Sequence, residues 1–157
     1  GKAVHAIAEH PATMWITAYK CCCRLAELAE QHDVIFNLEV MNTKVDHAGY
    51  PLPLVEDGLR LVEQVDSPRM KLLLDVYHAQ VEEGNLTELI RQAASSLGYV
   101  HVADVPGRHE PGTGEINYPF IFDHLDRIGY TGWVGAEYNP IGHTEEGLDW
   151  VKPYLSS

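Results

Sequence analysis

The chain has 157 residues, of which 45% are hydrophobic and 9% aromatic, and this composition predicts one folded domain over residues 1–157. Its 11 basic and 23 acidic residues give a formal net charge of −12. We therefore expect no nucleic-acid partner and no membrane partner, because binding to phosphate groups requires clustered Lys and Arg. No apolar run in the sequence approaches the roughly 20 residues of a membrane span.

The three cysteines are consecutive, Cys21 to Cys23. Disulfide frameworks use spaced pairs, and adjacent cysteines form a bridge only with strain. We interpret the three side chains as reduced thiols on a helix. With no secretory leader expected, we predict a cytoplasmic protein.

Short β-like runs alternate with helical stretches along the chain. In chain order, we predict helix 12–31, strand 34–41, helix 52–65, strand 70–77, helix 86–97, strand 99–103, a Gly/Pro-rich loop 105–117, helix 118–128, strand 133–138 and helix 144–155. Asn85 and Thr144 are the expected N-caps of their helices, and Gly98 and Gly129 are the expected stops. This alternation predicts an α/β fold in which parallel strands are joined by right-handed crossovers.

Each predicted strand carries one metal-capable residue at or near its C-terminal end. These residues are Glu39, Asp75, His101 and Glu137. Active sites of parallel α/β sheets are built at this edge, and polar groups in apolar strands need partners. A shared divalent cation would satisfy all four; the alternative is that each one separately caps a helix or forms an ion pair. Three carboxylates and one imidazole suit Mg²⁺ or Mn²⁺, with Co²⁺ or Zn²⁺ as competitors because of the imidazole.

Three segments resemble the hydroxypyruvate isomerase family, which belongs to the xylose-isomerase-like TIM-barrel superfamily. They are LLLDVYH at 72–78, HVADVPGRHEPGTGEIN at 101–117 and GWVGAEY at 132–138. Members of this family are (β/α)8 barrels of about 260 residues. The resemblance therefore implies that this chain corresponds to strands 5–8, the second half of such a barrel.

The resemblance also implies roles for the residues at the strand ends. Carried over by motif, the family's metal ligands fall on Glu39, Asp75, His101 and Glu137. Glu39 and Glu137 also become the acid/base pair that converts hydroxypyruvate to tartronate semialdehyde through an enediolate. Hydroxypyruvate isomerases often carry Gln at the third metal position, whereas related sugar epimerases carry His. His101 therefore leaves a ketose 3-epimerase or a 2-oxo-tetronate isomerase as alternatives.

Two further residues are candidates for contact with a substrate. The resemblance implies that His78 contacts a substrate oxygen; the alternative is an ordinary half-buried histidine. Arg108 lies in the loop after the third strand, and its guanidinium could clamp a substrate carboxylate. The alternative for Arg108 is a salt bridge to Glu110 or Glu115 that braces the loop. Asn42, His109 and Glu110 are weaker candidates, and His47 stays open.

Four parallel strands would leave two open edges and an uncovered inner face. We expect a homodimer, because an exposed apolar face drives association, or a separate chain that supplies the missing half-barrel. A fragment that folds only in part is the third alternative. A half-barrel that binds metal without catalysis remains a rival function for the chain. A DNA-repair endonuclease is a weaker rival, because the net charge is negative and only one strand-end histidine is present.

Overall fold

Four parallel strands form one sheet in the order β1-β2-β3-β4 in the computed structural model, which describes residues 11–155. The strands are β1 (Phe36–Glu39), β2 (Met70–Asp75), β3 (Leu97–Val102) and β4 (Trp133–Ala136). The helices are α1 (Pro11–His32), α2 (Val55–Val65), α3 (Val76–Glu82), α4 (Leu86–Ala93), α5 (Tyr118–Arg127) and α6 (Thr144–Gly147), followed by a 3-10 helix (Leu148–Tyr154). The predicted α/β fold is confirmed, and it has the architecture of half a (β/α)8 barrel. The first ten and last two residues of the predicted domain lie outside the described residues.

The hydrophobic core lies between one face of this sheet and the helices. Side chains alternate between the two faces of a strand, so Met70, Leu72 and Leu74 of β2 all point toward the helices, where they are buried. Leu61 of α2 and Ile90 of α4 complete this layer and are fully buried. The opposite face of β2 therefore carries the residues between them, and Asp75 ends that row at the C-terminal edge.

The second predicted strand, 70–77, is too long at its C-terminal end. Strand β2 ends at Asp75, and the unpredicted helix α3 begins at Val76. The cause is the Asp75 side chain, which accepts hydrogen bonds from the backbone N–H groups of Tyr77 (2.9 Å) and His78 (3.4 Å). Asp75 is thus the N-cap of α3, and an N-cap fixes where a helix starts.

The predicted helix 86–97 is also too long, and Gly98 does not stop it. Helix α4 ends at Ala93, and both Leu97 and Gly98 belong to β3. The register with β2 shifts at this point, because Leu72 pairs with Leu97 whereas Leu73 pairs with Tyr99. A side chain at Gly98 would overlap the Asn37 amide oxygen, so glycine allows this close approach.

The capping predictions hold only in part. Asn85 occupies the N-cap position of α4, but it has a left-handed backbone (φ 49°) and its side chain makes no capping bond. His143, rather than Thr144, is the N-cap of α6. The predicted helix 144–155 starts as α6 and continues as a 3-10 helix that contains Pro153, a residue that cannot donate a helical hydrogen bond.

Both edges of the sheet are open within the described residues. Strand β1 forms one edge and β4 the other. Large apolar side chains are exposed there: Phe36 is 37% exposed, Val134 is 41% exposed and Trp133 is 78% exposed. Between residues 11 and 155, no helix is long and apolar enough to cross a bilayer.

Candidate active site

The structure brings the four predicted strand-end residues together. Glu39 and Asp75 are the last residues of β1 and β2, His101 lies one residue before the end of β3, and Glu137 follows β4. Each contributes one ligand-type atom, and these atoms all lie within 4.8 Å of one another. Parallel pairing causes this convergence, because the C-terminal ends of neighbouring strands meet at one edge of the sheet.

The imidazole of His101 faces the carboxylates without a hydrogen bond to any of them. Its Nδ1 atom lies 3.2 Å from Glu137 Oε2 and 3.9 Å from Glu39 Oε1. This Nδ1 is buried and has no hydrogen-bond partner among the described residues. A buried nitrogen without a partner is costly, and a divalent cation would satisfy it together with the carboxylates. The donor set therefore fits a divalent metal ion.

The carboxylates of the site have unusual proton affinities. Burial, together with the negative charges of Asp75 and Glu137, raises the pKa of Glu39 to about 7, against the opposing effect of Arg108. Burial also raises the pKa of Asp75 above its ordinary value, again against the positive charge of Arg108. Without a cation, Glu39 can therefore hold a proton close to neutral pH.

Arg108 lies inside the carboxylate cluster. Its Nη2 atom donates to Asp75 Oδ2 at 2.9 Å and to Glu137 Oε2 at 2.7 Å. The alternative of a loop salt bridge is wrong in this structure, because the Arg108 guanidinium pairs with Asp75 and Glu137 and not with Glu110 or Glu115.

The loop that carries Arg108 is held in place by Asp104. Sequence reasoning missed this residue, although an acidic residue directly before a Pro/Gly-rich loop is a known signal for loop capping. The Asp104 carboxylate is fully buried and accepts three backbone hydrogen bonds, from Val105 (2.9 Å), Gly112 (2.8 Å) and Ile116 (3.0 Å). The Asn139 N–H donates to the Arg108 carbonyl oxygen at 2.7 Å. Together these bonds hold Arg108 at a left-handed φ of 58°.

His78 is buried beside the cluster in a defined tautomer. Its Nδ1 atom accepts from the backbone N–H of Asn42 at 3.2 Å, so in the neutral ring the proton lies on Nε2. Nε2 lies 3.7 Å from Asp75 Oδ2. Burial and the charge of Arg108 lower the pKa of His78 to about 4. His78 is therefore a neutral hydrogen-bond donor at the edge of the site.

The weaker candidates support neighbouring loops. Asn42 is buried, and its side chain lies 2.6 Å from His78 Nδ1. His109 donates from Nδ1 to the Asn139 carbonyl oxygen at 2.7 Å. Glu110 is buried and braces the segment after β4 through Ile141. The ring of His47 lies tilted against that of His78, with 5.4 Å between the ring centroids, outside the cluster of four.

Residues 3–154 match the family model described as the xylose isomerase-like TIM barrel. The chain belongs to this family. Its resemblance to the hydroxypyruvate isomerases is also confirmed, because curated relatives carry that name.

Relatives in this TIM-barrel family include named isomerases. The 2-oxo-tetronate isomerase of Pectobacterium atrosepticum is 44% identical over 124 residues, which are 79% of this chain and 47% of that protein. The hydroxypyruvate isomerase of Escherichia coli is 40% identical over 129 residues, which are 82% of this chain and 50% of that protein. The chain thus spans about half the length of the curated relatives it matches.

Solved structures give the same fold. An AP endonuclease, family 2, from Brucella melitensis superposes with a TM-score of 0.88 at 39% identity, over 92% of this chain and 56% of that one. D-Psicose 3-epimerase from Clostridium cellulolyticum H10, solved with D-tagatose, superposes with a TM-score of 0.79 at 31% identity, over 87% and 46%.

Proposed function

We propose that this chain supplies the catalytic half of an isomerase that moves a carbonyl between adjacent carbons of a small hydroxy-oxo acid. Hydroxypyruvate, converted to tartronate semialdehyde, is the first substrate to test, and 2-oxo-tetronate is the second. The convergence of Glu39, Asp75, His101 and Glu137 at one sheet edge carries this proposal. The names of the relatives, 2-oxo-tetronate isomerase and hydroxypyruvate isomerase, support the reaction class.

We propose that these four residues hold a divalent ion, Mg²⁺ or Mn²⁺, with Co²⁺ or Zn²⁺ as competitors. Three carboxylates and the unpaired Nδ1 of His101 form a donor set of this kind. When bound, such an ion polarises substrate oxygens and stabilises the negative charge of an enediolate.

Glu39 and Glu137 are the proposed acid/base pair. One carboxylate removes a proton from the hydroxyl-bearing carbon next to the carbonyl, and the other carboxylate returns a proton to the former carbonyl carbon. The hydroxyl proton passes to the former carbonyl oxygen. A pKa of about 7 suits Glu39 to gain and lose a proton near neutral pH. Glu137, whose side chain is 55% exposed, lies in a different environment, and unlike environments allow the two groups to differ in protonation.

His78 and Arg108 are the proposed substrate contacts. The Nε2–H of neutral His78 can donate to a substrate oxygen but cannot serve as its general base. The guanidinium of Arg108 is the proposed partner of the substrate carboxylate, which it would pair with in bidentate fashion. This pairing favours an oxo acid over a neutral sugar.

The alternative substrate class is a ketose, as in a 3-epimerase. Two observations favour it: the D-psicose 3-epimerase structure is 31% identical, and a histidine, His101, occupies the third ligand position. A ketose has no carboxylate for Arg108, so the two classes differ in their dependence on that residue.

A complete barrel requires four further strands. We propose that a second copy of the chain, or a partner that supplies a complementary half-barrel, pairs with the open edges β1 and β4. Two copies around a twofold axis along the barrel would keep all eight strands parallel. Sedimentation of the purified chain tests this, because a well-folded monomer at micromolar concentration would exclude the homodimer. A cytoplasmic location and the absence of a nucleic-acid partner stay predictions, based on the unpaired cysteines and the acidic charge.

The test is a proton NMR time course with hydroxypyruvate and Mg²⁺ in D₂O, beside an EDTA-treated control. We expect metal-dependent formation of tartronate semialdehyde with deuterium uptake. Parallel samples contain 2-oxo-tetronate and D-psicose. No exchange with any of them, in a dimeric and folded sample, would support the rival of a half-barrel that lacks catalysis.

A further inference from the structure

The positive charge of Arg108 lies against the oxygen atoms that would hold a cation. Its Nη2 contacts Asp75 Oδ2 and Glu137 Oε2, two of the four clustered residues, and its side chain is only 19% exposed. The combined negative charge of the three carboxylates is thus partly neutralised by one internal guanidinium. A divalent ion and this guanidinium repel each other and use the same carboxylates, so the position of Arg108 affects how tightly the ion binds.

Tyr77 supports the guanidinium from the side. The Arg108 Cζ atom lies 5.1 Å from the centroid of the Tyr77 ring, within the range of a cation–π contact. Tyr77 is 3% exposed, and its hydroxyl donates to Asp46 Oδ2 at 2.7 Å. Asp46 is itself held by the Asn42 amide at 2.8 Å. The Tyr77 ring is therefore held in place by the residues that bury it and by the hydrogen bond from its hydroxyl to Asp46.

We propose that Tyr77 is a positioning residue, which holds Arg108 over the carboxylate cluster and thereby sets the affinity of the site for a divalent ion. This inference rests on the proposed function, because it concerns the same metal site. Arg108 acts as an internal counter-cation, and the buried ring of Tyr77 keeps it there. Sequence reasoning assigned no role to Tyr77 or Asp46.

The test is a titration with Mn²⁺ in which free Mn²⁺ is measured by electron paramagnetic resonance. Arg108→Gln should bind Mn²⁺ at least about tenfold more tightly, which corresponds to roughly 1.4 kcal/mol. Tyr77→Met fills the space without a ring, removes the cation–π contact that positions Arg108 and should also tighten binding. Tyr77→Phe keeps the ring and should stay close to the wild type. The double variant of Arg108→Gln and Tyr77→Met should bind no more tightly than Arg108→Gln alone, because both changes remove one interaction.

Arg60→Gln is the matched control. Arg60 lies on α2, where it pairs with Glu56 and is 60% exposed, so the substitution changes the net charge equally without touching the cluster. Its Mn²⁺ affinity should equal that of the wild type. If Arg60→Gln increases the Mn²⁺ affinity as much as Arg108→Gln does, net charge alone explains the effect of Arg108, and the proposal is overturned.

Three results would contradict the inference at different levels. If Tyr77→Met binds like the wild type while Arg108→Gln binds more tightly, Tyr77 does not position Arg108. If Arg108→Gln binds equally or less tightly, Arg108 is no counter-cation. If no variant binds Mn²⁺, the proposed metal site fails and the inference fails with it. If Tyr77→Met does not fold, the NMR resonances of the Arg108 Cδ protons replace it as the test. The ring should shift these resonances upfield in the wild type and in Tyr77→Phe. Unshifted resonances would overturn the proposal.

Discussion

Asp104→Asn should destabilise the protein through the loop that carries Arg108. The Asp104 carboxylate accepts from the Val105 and Ile116 N–H groups with Oδ1 and from the Gly112 N–H with Oδ2. Asparagine is nearly the same size, and its carbonyl oxygen can take the place of Oδ1. Its NH₂ group then faces the Gly112 N–H, so one acceptor is lost and two donors oppose each other.

The expected loss follows from these contacts. A hydrogen bond to a charged group contributes about 1.5–3 kcal/mol, and the two bonds that remain lose their charge assistance. Gly112 is exposed, so water can reach part of its N–H and reduce the cost. We expect a loss of about 2 kcal/mol in the free energy of unfolding, a large share of the roughly 5–15 kcal/mol of a typical domain.

Urea unfolding, followed by circular dichroism, measures this loss as a shift of the midpoint at constant slope. Asp126→Asn is the matched control, because Asp126 is an exposed residue of α5 and the change in charge is the same. The control should lie within about 0.5 kcal/mol of the wild type. An equally small change in Asp104→Asn would refute the role of the carboxylate in holding the loop.

Three further predictions concern the carboxylate cluster directly. Glu137→Gln should lower turnover by about a hundredfold or more with an unchanged circular dichroism spectrum, because the change removes one of the two proposed acid/base groups. A near-normal rate in the NMR assay would remove Glu137 from the proposed mechanism. Asp75→Asn should weaken Mn²⁺ binding by about tenfold or more, since a buried carboxylate becomes a neutral amide; an unchanged titration would exclude Asp75 as a ligand. Mn²⁺ affinity should increase with pH up to about 7 and then level off, because the ion must displace a proton from Glu39, whose pKa is raised to about 7. Glu39→Gln should lose this part of the pH dependence, and a flat wild-type profile between pH 5 and about 7 would contradict the assignment.

The cluster of four could be predicted because its pattern is local to each strand. Glu39 and Asp75 each interrupt an apolar run near its end, and parallel strands place such ends at one edge of the sheet. The pairing of Asp75 with His101 in the register of β2 and β3 brings two of the four into adjacent positions. Alternation of strands and helices was therefore enough to predict that these four residues converge, without knowing any contact.

The helix after β2 could not be predicted from the same pattern. Val76 and Tyr77 continue the apolar run of β2, so the sequence favours a longer strand. The backbone turns into α3 only because the Asp75 carboxylate caps Tyr77 and His78, and a capping bond is not visible in hydrophobic periodicity. One residue, Asp75, thus ends the strand, starts a helix and faces the cluster.

The environment of Arg108 depends on contacts between distant loops. Nearby Glu110 and Glu115 were the obvious partners from sequence, yet Arg108 reaches Asp75 and Glu137 instead. Bonds that hold the loop, from Asp104 directly before it and from the segment after β4, turn the side chain toward the sheet edge. Such long-range bonds leave no periodic signal in the sequence.

A crystal structure of the protein grown or soaked with Mn²⁺, with an anomalous difference map, locates the metal ion directly. We expect one strong anomalous peak at the C-terminal edge of the sheet, bonded to carboxylate oxygens of Glu39, Asp75 and Glu137 and to Nδ1 of His101. An empty cluster at saturating Mn²⁺, or a peak held by other residues, would contradict the proposed metal site.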